Sequence, residues 1–149
     1  MKTKELMKEN VFTVNLNTPL KDITEKLLTE NYSCVIVTNY SNDIVGIITL
    51  SDLFRFLFPD YNEIREHREY LSESVSILKR LNKLKNLPAE TCMTKFPEVI
   101  NEKSSAIEAA AIMKDFKIKQ LPVIENGKLI GIITSKDILK SFILQMTDN

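Results

Sequence analysis

The chain is poor in the residues from which small catalytic and phosphate-binding sites are most often built. It has one histidine, two cysteines, three glycines and no tryptophan in 149 residues. Triad and general-base chemistry therefore has few bearers, and His67 falls in a run of charged residues where a solvated side chain is the expectation. No glycine-rich phosphate loop exists, because Gly46, Gly127 and Gly131 are accounted for by strand and turn positions. Cys34 and Cys92 form neither a disulfide framework nor a metal-spaced set, and their apolar neighbours make them reduced, buried thiols. No apolar run approaches the roughly 18 to 20 residues that span a bilayer, and the Lys2, Lys4, Glu5 start lacks the apolar core of a signal peptide. The expectation is a cytoplasmic protein without a membrane partner, catalytic residues, metal or cofactor. A formal net charge of zero supplies no long-range field, so nucleic acid is an unlikely partner.

What is present is a repeat. Hydrophobic content of 44% and charged content of 27% are those of a globular domain. Met7-Lys-Glu-Asn-Val-Phe-Thr-Val14 lies over Met93-Thr-Lys-Phe-Pro-Glu-Val-Ile100 at an offset of 86, which also carries Leu20, Ile23 and Leu27 onto Ala106, Ala109 and Met113. Tyr32 to Val37 falls on Ile118 to Val123 in the same way. One residue is then lost in a turn, and Ile44-Val-Gly-Ile-Ile-Thr-Leu-Ser-Asp-Leu53 matches Leu129-Ile-Gly-Ile-Ile-Thr-Ser-Lys-Asp-Ile138 at an offset of 85.

Periodicity gives each copy the order βαββα. Val11 to Val14 and Val99 to Ile100 read as short strands, and helical spacing starts near Thr18 and Ser104 with Ser or Thr as N-cap candidates. β-Branched runs follow at Val35 to Thr38, Ile44 to Ile48, Leu121 to Ile124 and Leu129 to Ile133. Asn126-Gly127 is the sequence of a type I′ hairpin. Second helices follow at Asp52 to Phe58 and Asp137 to Met146. One copy alone has too little apolar surface to be stable, so the two pack together as an α+β unit with repeat 1 at 1–58, a linker at 59–87 and repeat 2 at 88–149.

The linker carries Ile64, Leu71, Val75, Leu78, Leu81 and Leu84 at helical spacing, and a single amphipathic helix is expected from Pro59 to Pro88. Acidic residues from Asp60 to Glu73 precede basic residues from Lys79 to Lys85, the polarity a helix macrodipole favours. Such a helix either lies over its own domain or forms a partner surface.

Gly-Ile-Ile-Thr-x-x-Asp is the one repeated string with chemistry in it. Thr49 and Thr134 end strands, while Asp52 and Asp137 enter the first turn of the next helix, where unpaired N–H groups face outward. A carboxylate there can accept from the vicinal hydroxyls of a ribose, with the threonine as a second contact. The same spacing is also a capping box, which needs no ligand.

Leu121-Pro122-Val123-Ile124 followed by Gly131 to Ile138, with Met93 and Val99 before them, resembles a CBS (cystathionine β-synthase type) domain. The first copy repeats the pattern with Met7, Val14 and Gly46 to Leu53. The resemblance implies a stand-alone pair of CBS repeats whose two clefts bind adenosine-containing ligands, an adenine nucleotide or an adenosyl compound such as S-adenosylmethionine. It assigns Thr49, Asp52, Thr134 and Asp137 to ribose and phosphate, and Phe12, Thr13, Ile36, Glu98, Val99 and Pro122 to the adenine slot. Ile36 stands where the family pattern has proline. Lys119 and Lys136 stand where the first copy has Ser33 and Ser51, so phosphate is expected to meet cations only at the Asp137 cleft. The expectation is a regulatory ligand sensor and homodimer acting on an unidentified protein. The alternative is a ligand-free interaction scaffold whose Thr-x-x-Asp motifs only cap helices.

Overall fold

The computed structural model describes residues 1–68 and 73–147. Copy 1 contributes a short leader helix α1 (Thr3–Leu6), β1 (Thr13–Asn15), α2 (Leu20–Thr29), the hairpin β2 (Cys34–Thr38) and β3 (Ile44–Thr49), and α3 (Leu50–Leu57). The linker contains α4 (Tyr61–Glu66) and α5 (Glu73–Leu84). Copy 2 has a 3₁₀ turn at Ala89–Thr91, then β4 (Thr94–Lys95), β5 (Ile100–Asn101), α6 (Ala106–Phe116), β6 (Gln120–Glu125), β7 (Lys128–Thr134) and α7 (Ser135–Thr147). The fold is α+β with two tandem βαββα units, as the repeat requires.

Each unit forms its own core. Leu20, Ile23 and Leu27 of α2 meet Val35, Val37 and Ile48 of the sheet, and Ala109 and Met113 of α6 meet Leu121, Val123 and Ile133 in the same way. A third cluster, Cys34, Ile36 and Ile47 with Ile132, joins the two sheets. At the second hairpin Asn126 and Gly127 have φ of 51° and 77°, the two positive values a type I′ turn requires.

The copies exchange their leaders. β1 pairs parallel with β2 of its own unit, but β4 crosses to pair antiparallel with β3 of copy 1, and Lys8 makes the matching bridge to Ile132 of β7. The start of each first helix is also completed by the other leader: Thr3 N–H donates to Ser104 O and Ala89 N–H to Thr18 O, both at 2.8 Å. Met7 packs over Gly131 and Met93 over Gly46, where a β-carbon would overlap the thioether in either case. The bonds repeat at the offset of the sequence, so the pair has a pseudo-two-fold axis between its sheets.

Local assignments depart from expectation in three places. The first strands lie one or two residues later than Val11 and Val99, because Phe12 O already serves Ile36 N–H from outside the strand. α2 starts after Pro19 without a side-chain cap, since Thr18 is spent in the turn at Asn15, and α6 is capped by Ser105 rather than Ser104. The linker is not one helix: α4 is capped by Asp60 and ends at His67, whose φ and ψ of −130° and 82° are not helical. Glu69 and Leu71 lie outside the described residues. Leu84 joins the first core, whereas Leu78 and Leu81 face outward.

Candidate functional site

Each Thr-x-x-Asp motif closes on itself before it can meet anything else. Thr49 is the N-cap of α3: its hydroxyl accepts from Asp52 N–H at 3.3 Å, and Asp52 Oδ2 accepts from Thr49 N–H at 2.8 Å and from the Thr49 hydroxyl at 3.1 Å. Thr134 and Asp137 repeat this at the start of α7, with 3.0 Å from the amide and 2.6 Å from the hydroxyl. Both motifs are complete capping boxes.

The other carboxylate oxygen faces the exchanged leader. Asp52 Oδ1 accepts from the Thr94 hydroxyl at 3.1 Å and from Arg55 Nη2 at 2.8 Å. Asp137 Oδ1 stands 3.5 Å from Lys8 Nζ, and Lys8 occupies the position equivalent to Thr94. The side chains of Asp52 and Asp137 are 7% and 15% exposed, so each acid is a mostly buried charge with its partners in place.

In front of Asp52 lies a cleft of about 550 Å³. Thr49, Asp52 and Arg55 of copy 1 form one wall; Thr94, Phe96 and Glu98 of copy 2 form another. The segment from Phe116 to Gln120, with Lys117 and Lys119, completes the lining. The volume falls within the roughly 300 to 1,000 Å³ of small-molecule sites. Phe96 and Phe116 are 78% and 56% exposed, which puts two aromatic faces at its edge.

The sequence-predicted residues divide accordingly. Thr49, Asp52, Glu98 and Lys119 share this cleft. Ile36 and Pro122 do not line it, because both are sealed in the core: Ile36 is in the cluster between the sheets, and Pro122 pairs with Ile132 in the β6–β7 hairpin. Val99 is half-buried beside β5 and also lies off the lining. Phe12 packs on the Tyr32 ring, centroids 5.3 Å apart, with Lys26 Nζ 4.3 Å above it, while Thr13 is exposed on β1. Thr134 and Asp137 form the equivalent site in copy 2, and Lys136 is exposed on the first turn of α7. Lys117, Lys119 and Arg55 give the Asp52 cleft cations of its own, so cations are not confined to the Asp137 side. Arg55, Thr94 and Lys8 are the residues that motif reading missed. Arg55 was findable as the i+3 partner of Asp52, but Thr94 and Lys8 arrive by the leader exchange, which leaves no local pattern.

Elsewhere the chemistry is quiet. Burial pushes the Cys34 thiol from 9.0 to about 11, with Ser33 opposing the rise. Burial also takes Cys92 to about 11, where the Asp52 charge adds to the rise and Arg55 opposes it. Among the described residues no group of His, Cys, Asp and Glu is placed to hold a metal ion, and no helix is long and apolar enough to cross a membrane.

Two βαββα units with exchanged leaders and a Thr-x-x-Asp motif beside an inter-repeat cleft define a paired-repeat architecture. The CBS domain family matches residues 4–59 and 89–144, and the chain belongs to that family. A CBS domain-containing protein of Dictyostelium discoideum is 34% identical over 139 residues, covering 91% of this chain and 87% of that one. An uncharacterized protein of Methanocaldococcus jannaschii is 27% identical over 137 residues, 92% of this chain, which spans only 41% of its length. Among solved structures, the CBS-pair protein CBSX2 of Arabidopsis thaliana aligns with a TM-score of 0.74 at 23% identity over 99% of this chain and 97% of that one. CBSX2 is also known in complex with AMP, and another CBS domain pair in complex with 5′-methylthioadenosine and S-adenosyl-L-methionine, with TM-scores of 0.73 and 0.71 at 22% and 21% identity. Those two alignments cover 96% and 97% of this chain and 97% and 98% of the others.

Proposed function

We propose that this chain is a regulatory module, not an enzyme, that binds an adenosine-containing ligand between its CBS repeats and passes occupancy to a partner protein. The observation that carries the reading is the open cleft at Asp52, whose lining holds a carboxylate, a threonine and the cations Arg55, Lys117 and Lys119. That set answers a ribose, which offers a diol, and an anion attached to it. The adenosyl ligands of the AMP and S-adenosyl-L-methionine complexes support the class, and they belong to those proteins. The module is proposed to work as a homodimer.

A second reading has an observation of its own. Both capping boxes are complete without ligand, as an interaction scaffold would need. Calorimetry and thermal shift with AMP, ADP, ATP and S-adenosylmethionine separate the two, since ligand at about 100 times its dissociation constant adds roughly 2.7 kcal/mol. Silence with all four compounds favours the scaffold. Asp137→Ala sharpens the result. Loss of the cap costs about 0.5 to 2 kcal/mol of stability in either case. A lost ribose contact also weakens binding roughly tenfold to more than a hundredfold. A lower melting temperature with unchanged affinity at that cleft would make the carboxylate a cap alone.

A further inference from the structure

The Asp52 carboxylate has no idle oxygen. Oδ2 is committed to the Thr49 amide and hydroxyl, and Oδ1 to Arg55 and Thr94. A sugar diol that reaches this acid must therefore take Oδ1, since removing Oδ2 from the cap would open the helix start. Taking Oδ1 displaces the Arg55 guanidinium from a 2.8 Å charge-assisted bond, and whatever enters must leave that cation no worse off. Arg55 can move with the exchange: its side chain is 74% exposed, and it lines the same cleft one helical turn beyond Asp52.

We infer that Arg55 is a specificity-determining residue that reserves the Asp52 cleft for ligands carrying negative charge beside the sugar. A phosphorylated nucleoside takes Oδ1 with its hydroxyls and offers its phosphate to the released guanidinium, with Lys117 and Lys119 in the same lining. A neutral nucleoside takes the same oxygen and returns nothing. A sulfonium compound brings a second cation to a displaced one. The inference rests on the adenosyl-ligand reading above and adds to it the charge of the ligand. It is particular to this cleft. At Asp137 the residue equivalent to Arg55 is Lys140, and the cation on the carboxylate is Lys8, from the leader.

The test is calorimetry with AMP and adenosine in an Asp137→Asn background, which keeps an acceptor for the Thr134 amide and weakens the second cleft. With Arg55 present, AMP should bind about tenfold more tightly than adenosine, the scale of one charge-assisted hydrogen bond. Arg55→Ala should bring the two affinities together, weakening AMP while adenosine holds or improves. Lys21→Ala, which removes an exposed cation of α2 outside the cleft lining, should leave the ratio as it was. An unchanged AMP-to-adenosine ratio in Arg55→Ala, or equal losses for both compounds, overturns the inference while leaving the adenosyl reading intact. Failure of both compounds to bind the unmodified chain overturns that reading, and the inference with it.

Discussion

At the scale of single residues, the fully buried polar atoms among the described residues are satisfied and burial favours protonated thiols. Among the described residues no fully buried side-chain polar atom lacks a hydrogen-bond partner, and the buried Thr3 and Asp52 are served from within, Thr3 by Asn101 O and Asp52 by Thr49, Arg55 and Thr94. The two thiols add a pH dependence with a definite sign. Because folding raises both from 9.0 to about 11, folded and unfolded chains are equally protonated below pH 9 and the contribution is complete there. Between pH 9 and 11 the unfolded chain ionises first and stability is lost, on the order of a few kcal/mol at most for the well-buried Cys34. Urea titrations at pH 8, 9 and 10 should therefore show a fall that Cys34→Ala reduces. An identical fall in the variant would mean that other groups carry it. Alkylation of Cys34 at pH 8 should likewise be far slower in the native protein than in urea. Residue roles were only partly legible. The spacing in Gly-Ile-Ile-Thr-x-x-Asp is enough to show a threonine cap and a carboxylate at the third helical position, because both contacts are local. Whether Ile36 faces a ligand or a core is settled by which sheet faces which, and four residues of local pattern do not hold that.

At the scale of elements the determining feature is that each leader finishes the other copy's sheet. Val11 to Val14 and Met93 onward were readable as the opening of a repeat, but pairing partners this distant, Ile47 with Thr94 and Lys8 with Ile132, have no signature in one sequence. The hairpin at Asn126-Gly127 and the helices on either side of it were legible because their causes are local. The linker shows the opposite case: its apolar spacing runs through His67, where α4 ends, and on into the separate helix α5. The leader contacts make the two repeat glycines unequal in consequence. The three atoms nearest a methyl at Gly46 all belong to the Met93 side chain, which can turn aside. A methyl at Gly131 stands 2.6 Å from Met7 Sδ and also 2.9 Å from the carbonyl oxygen of Lys8, which accepts from Ile132 N–H and has no rotamer to use. Gly131→Ala should cost about 1 to 3 kcal/mol, a fall of several degrees in Tm, and more than Gly46→Ala. Equal melting temperatures for the two variants would show that the leader slides freely over β7.

At the scale of the whole molecule, apolar surface remains after the two units have covered each other. Phe54 and Leu139 are 66% and 62% exposed on α3 and α7, the last helices of the two repeats, with Phe58, Phe142 and Ile143 near them in sequence. Phe56, Leu57 and Ile138, from the same helices, pack inward instead. Exposed apolar side chains on the last helix of each repeat are the surface a second copy would cover by a two-fold contact. Sedimentation at micromolar concentration should give a dimer that Phe54→Glu with Leu139→Glu converts to monomer. A monomer in the unmodified chain would show that the faces serve a different partner.

The crossing leaders have one more consequence, for what holds the two repeats together. Neither the β3–β4 pairing nor the Lys8–Ile132 bridge runs through the linker, and the first cores meet through Ile36, Ile47 and Ile132 without it. The covalent connection is thus not the bond that joins the halves. Two separate polypeptides, one ending at Arg68 and one beginning at Glu73, each lack a sheet edge and a helix start that the other carries. Mixed, they should assemble by fragment complementation into a one-to-one complex on size exclusion, each alone remaining aggregated or unfolded.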